Sequence, residues 1–153
     1  MLNSTKAGLL LLGVLHLSNG VPAELPNQKL TPGATRITTL TDVCTTKTSL
    51  VRNVTDSTKK LVFNNYGLNG NDKTQCSEGY EIDHLISLEL GGSNDPKNLW
   101  PQSYCGSPYN AKIKDKLENE LHRQVCLGKI SLESAQLCIS KDWEMCYIKI
   151  YKK

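Results

Sequence analysis

A disulfide-held α+β domain is the fold class that the sequence predicts, and three observations predict it. Short apolar runs broken by dense turn residues occupy the middle of the chain, whereas i+4 apolar repeats occupy its last third. Cys44, Cys76, Cys105, Cys126, Cys138 and Cys146 make an even cysteine set with no C-x-x-C pair, which points to disulfides and away from a zinc ribbon or thioredoxin-type site. The 153 residues are 39% hydrophobic, enough for one compact domain and unlike a repeat array, a collagen-like rod or a disordered chain. Eighteen Lys and Arg stand against 15 Asp and Glu, a weak basic bias that tolerates a polyanion without announcing one.

The elements follow in order. Residues 1–23 carry Lys6 and then an apolar run from Ala7 to Leu17, too short to span a bilayer but suited to the core of a cleaved signal peptide. The expected mature protein is therefore secreted and free of the membrane. Residues 24–41 are rich in Pro, Thr and Gly and read as an extended arm, and residues 42–153 form the domain. Asn53-Val54-Thr55 is a sequon for a surface glycan. A short helix is expected from Thr55 to Tyr66, capped by Thr55 or Asp56, with Leu61 and Val62 facing inward and Gly67 as its stop.

Tyr80 to Leu90 reads as a strand running into the turn Gly91-Gly92-Ser93-Asn94-Asp95-Pro96, and Asn98-Leu99-Trp100 as a second strand. Ser107-Pro108 suits the cap and first position of a helix whose Ile113, Leu117, Leu121 and Val125 share one face, ending near Gly128. A last helix is expected from Ser131, burying Leu132, Ala135, Ile139 and Trp143. On one continuous helix Cys138 and Cys146 would stand roughly 12 Å apart, so either the helix ends before Cys146 or each cysteine has another partner.

The stretch that carries chemistry is Glu81-Ile82-Asp83-His84, then Leu90-Gly91-Gly92, then Asn98-Leu99-Trp100-Pro101, followed by a helix. This order resembles the HNH endonucleases of the His-Me finger, or ββα-metal, superfamily. Thr31-Pro32-Gly33-Ala34, Val51-Arg52, Lys114-Asp115 with Leu117-Glu118-Asn119, Leu121-His122 and Asp142-Trp143 extend the likeness to small exported HNH-like proteins over about residues 30 to 150. The resemblance implies a small ββα-metal core with flanking helices and an endonuclease that hydrolyses phosphodiesters of DNA, with RNA as a second substrate. It implies one divalent cation, Mg²⁺ or Mn²⁺.

Carried over by position, His84 is the general base, since a neutral imidazole near pH 7 accepts a proton from water. Asp83 is a hard oxygen ligand for the metal, and Asn98 bonds across the hairpin to orient the base. Asp83 and His84 point to opposite faces if the strand is regular, so this geometry demands a bend or bulge. Glu81 and Lys114 belong to the rim and to phosphate contact. In the pattern the helix begins A-H-x-K-D with its His as last ligand, whereas Ala111-Lys112-Ile113-Lys114-Asp115 stands here. A protonated Lys112 cannot ligate a metal. Asn110 or Asp115 then substitutes, or Lys112 takes over part of the cation's role and contacts substrate, or the site is dismantled and the chain is a binding module. A metal-independent ribonuclease pairing His84 with His122 is the remaining alternative.

Overall fold

A computed structural model of the chain describes residues 25–70, 73 and 76–152, so the expected leader lies outside the described residues. The architecture is α+β: a small antiparallel hairpin with helices around it. In chain order come α1 (Leu40–Thr45), α2 (Asp56–Asn65), β1 (Tyr80–His84), β2 (Leu99–Ser103), α3 (Ala111–Cys126), α4 (Leu132–Lys141) and α5 (Trp143–Tyr151). Among the described residues no helix is long and apolar enough to cross a membrane.

Residues 25–39 form no helix or strand; they make a turn in which the Leu30 and Thr31 N–H groups donate to the Asn27 carbonyl at 2.9 and 2.7 Å, and then strap the hairpin connection. Thr31 Oγ1 donates to the Leu99 carbonyl at 2.8 Å, Arg36 Nη1 donates to the carbonyls of Leu88 and Gly92 at 2.9 and 2.8 Å, and Thr35 bridges to Gly92. The arm ends in α1, which starts within its expected span because Thr39 and Asp42 form a reciprocal capping box. Thr55 caps α2 by accepting from the Thr58 N–H. Val62 is buried there, but Leu61 is 47% exposed, because consecutive helical positions diverge by about 100° and α2 buries only a narrow stripe.

β1 is shorter than the apolar run suggested. It ends at His84, and the chain passes through tight turns at Leu88–Leu90 and Pro96–Asn98 before β2. Leu85, Ile86, Leu88 and Leu90 are apolar because they enter the core from this irregular connection, not from a ladder. The pairing is regular from Tyr80↔Ser103 to His84↔Leu99, with no bulge at Asp83, so Glu81 and Asp83 face one way and His84 the other. The expected bend or bulge at Asp83-His84 is absent; the chain bends only after His84, which leaves the two side chains on opposite faces.

Asn110, not Ser107, caps α3, its Oδ1 accepting from the Ile113 N–H at 3.2 Å. The Ser107-Pro108 bond is cis and lies before the helix. Leu117, Leu121 and Val125 join Ala135, Ile139 and Trp143 in the core. The expected last helix is two helices. Asp142 ends α4 and caps α5, with φ −165° and ψ 95° and its Oδ1 accepting from the Met145 N–H at 2.9 Å. That break folds α5 back and brings the Cα atoms of Cys138 and Cys146 to 5.5 Å, close enough to bond to each other. Cys44–Cys126 ties α1 to the end of α3, and Cys76–Cys105 closes the open end of the hairpin. Three disulfides fit a protein that folds outside the reducing cytoplasm.

Candidate functional site

The connection between β1 and β2 is shaped by one side chain. Asn98 is fully buried; its Oδ1 accepts from the N–H of Ile86 at 2.9 Å and of Ala34 at 3.3 Å. Its Nδ2 donates to the carbonyls of Ile86 and Ser93, both at 2.9 Å. Asn98 thus bonds across the hairpin connection, but to backbone; the side chain that meets the histidine ring is Asn94.

His84 is only 2% exposed, and its Nε2 lies 3.0 Å from Asn94 Oδ1. The amide orientation follows from its other bonds: Asn94 Nδ2 donates to the Val51 carbonyl at 2.8 Å, and the Asn53 N–H donates to Oδ1 at 3.2 Å. An acceptor facing Nε2 requires the proton on Nε2, which leaves the lone pair on Nδ1. Burial holds the imidazole below its ordinary pKa, assisted by the charges of Arg52 and Lys114 and opposed by the Asn94 bond and Asp83. The ring is therefore neutral at pH 7.

On the other face of β1, Asp83 meets α3 through Lys114. Lys114 lies on the inward stripe of the helix with Ala111, Leu117, Leu121 and Val125, and is 1% exposed. Its Nζ donates to Asp83 Oδ2 at 2.6 Å, to the His84 carbonyl at 2.8 Å and to Glu118 Oε1. Three donors thus meet three acceptors. Burial alone would discharge this amine, but Asp83 and Glu118 outweigh it and raise its pKa, so it stays an ammonium. Burial pushes Glu118 up, against the pull of Lys114.

Further carboxylates surround the ammonium. Partial desolvation raises Glu81, Glu89 and Asp115, and in each case a neighbouring carboxylate adds to the effect. Glu81 accepts from Tyr104 Oη at 2.6 Å, which pushes the phenol up to about 12. Arg52 lies close enough to His84 and Asp115 for its charge to lower both.

The residues expected to hold a divalent ion do not assemble around one. Asp83 is bonded to Lys114, Asn110 caps α3, and Asp115 stands exposed on its first turns. Lys112 is exposed, with its nearest carboxylate, Glu78, at 3.7 Å. Among the described residues the close group of metal-ligand type is Cys44, His122 and Cys126, whose two thiols are joined in a disulfide. His122 Nε2 lies 3.0 Å from the Val43 carbonyl, with Nδ1 3.8 Å from Glu89, so its hydrogen-bonding reach is spent away from His84.

The bond of Asn94 to His84, the charge of Arg52 beside that ring and the burial of Lys114 are what the sequence reading missed. For Lys114 a signal was present: it sits three residues after Ala111 and three before Leu117 on the apolar stripe, with Glu118 four residues on. No family model matches the chain, and no curated protein or solved structure matches it either.

Proposed function

We propose that the chain is an exported phosphodiester hydrolase of the HNH type, acting on nucleic acid and on DNA first, with His84 as general base. The observation that carries this reading is the neutral His84 ring, pinned through Nε2 by Asn94, which leaves the lone pair on Nδ1. In the reaction, water adds to phosphorus while His84 Nδ1 takes its proton; the bond from phosphorus to the sugar oxygen breaks, and that oxygen takes a proton from solvent. Arg52 and the exposed Lys112 supply positive charge for the phosphate. The hairpin followed by a helix, and the order of Asp83, His84 and Asn98 within it, support the HNH assignment; the three disulfides support export.

Supercoiled plasmid incubated with the purified mature chain tests the reading. Nicking is expected, with the rate reduced about 10²- to 10⁴-fold in His84→Ala, the usual worth of a general base. Undiminished cleavage by that variant overturns the assignment. One observation favours a second reading, a non-catalytic nucleic-acid-binding module: His84 is only 2% exposed. In that case labelled DNA binds with a salt-dependent affinity that His84→Ala leaves unchanged, and no product forms.

A further inference from the structure

The three acceptors around Lys114 are two carboxylate oxygens and a backbone carbonyl, which is the donor set a hard divalent cation selects. They come from two elements: the consecutive residues Asp83 and His84 at the end of β1, and Glu118 on α3, one turn beyond Lys114. Each lies within hydrogen-bonding distance of one point, and at that point stands an ammonium carried on a fully buried stem. Asp83 is also the side chain that an HNH-type site would use to hold its metal.

We infer that the Lys114 ammonium is the resident cation of this site, filling the place beside Asp83 that a divalent ion would need. The Lys114 ammonium is bonded to both Asp83 and Glu118, and a dication arriving beside Asp83 would meet that fixed positive charge at contact distance. Lys114 does not swing aside, because all three of its hydrogens are engaged and its side chain is buried. Of the expected substitutes, Asn110 has its Oδ1 engaged in capping α3, and Asp115 is not among the groups bonded to Lys114. The chain therefore takes up no Mg²⁺ or Mn²⁺ at Asp83.

The consequence for chemistry rests on the proposed hydrolase reading. An ammonium fixes Asp83 and the His84 carbonyl in place, yet it neither coordinates a phosphoryl oxygen nor acidifies a bound water, as a metal does. Activation of water then falls on His84 alone, and cleavage proceeds in chelator. Lys114 is a positioning residue, holding the end of β1 against α3.

Mn²⁺ binding, read by the loss of its free-ion paramagnetic resonance signal, tests the cation assignment without reference to activity. Wild-type protein at about ten times the Mn²⁺ concentration is expected to leave the signal undiminished. In Lys114→Ala the three oxygens are left around an open point, so that variant is expected to take up Mn²⁺ and to show a melting temperature that rises with added Mn²⁺. Lys114→Met fills the space without the charge and is expected to bind none. Mn²⁺ uptake by the wild type that Asp83→Asn abolishes overturns the assignment, as does cleavage that EDTA stops. The wild-type titration decides even where Lys114→Ala cannot be purified. A chain that binds no Mn²⁺ and cuts no DNA loses the hydrolase reading and keeps the cation assignment.

Discussion

At the scale of the residue, the charge state of His84 is set by where its ring is placed. Burial is the largest influence and depresses the pKa below the ordinary 6.5; Arg52 and Lys114 act in the same direction, while Asn94 and Asp83 act against it. If His84 is the base, the rate falls as the pH is lowered, and its acid limb reports an apparent value below the ordinary 6.5. Stability follows with the same sign. A folded-state pKa below the unfolded one means that this contribution is present above pH 6.5 and is lost as the pH falls through the folded value. Urea unfolding at about pH 7 and about pH 5.5 is therefore expected to show a larger loss in the wild type than in His84→Ala, since the variant has no proton to take up. An equal loss in both proteins would mean that the ring titrates alike folded and unfolded.

At the scale of the element, the connection between β1 and β2 is the least forgiving part of the molecule. A Cβ on Gly92 would stand 1.8 Å from the Ile86 carbonyl oxygen and 2.9 Å from Asn98 Nδ2. Neither neighbour is the end of a flexible chain, since Asn98 is held by four bonds. Gly92→Ala is expected to cost about 3 kcal/mol or more, read as a lower urea midpoint, and to release the bond between Asn94 and His84. This element also shows what sequence can reveal. The turn residues, the hairpin and the i+4 stripe of α3 were legible because periodicity and Gly-Pro punctuation are local signals. The end of β1 was not, because Leu85, Ile86, Leu88 and Leu90 look equally apolar whether a ladder or an irregular loop buries them. The His84 position was legible from its motif, but its partner Asn94 was not, because an Asn in a turn-rich run carries no mark of the ring it faces. The break at Asp142 was foreshadowed only by the spacing of Cys138 and Cys146.

At the scale of the whole molecule, the disulfides divide the work of holding the frame on which the site depends. Cys44–Cys126 spans 82 residues and fastens α1 to α3, the helix that carries Lys114; Cys76–Cys105 spans 29 and closes the hairpin; Cys138–Cys146 spans 8 and joins α4 to α5. If cross-links act chiefly by restricting the unfolded chain, their worth follows loop length, at about 4.5, 3.5 and 2.5 kcal/mol in that order. Replacing each pair by alanine avoids leaving a hydroxyl at buried Cys76 or Cys146, so the comparison is made on equal terms. Urea unfolding of the three double variants is then expected to rank Cys44 with Cys126 as the costliest loss and Cys138 with Cys146 as the mildest. The short loop has a second route to importance, because Cys146 packs in the core beside Trp143. A reversed ranking, with the Cys138–Cys146 pair costing most, would therefore place that bond's contribution in the native packing of α4 against α5 and not in the entropy of the unfolded chain.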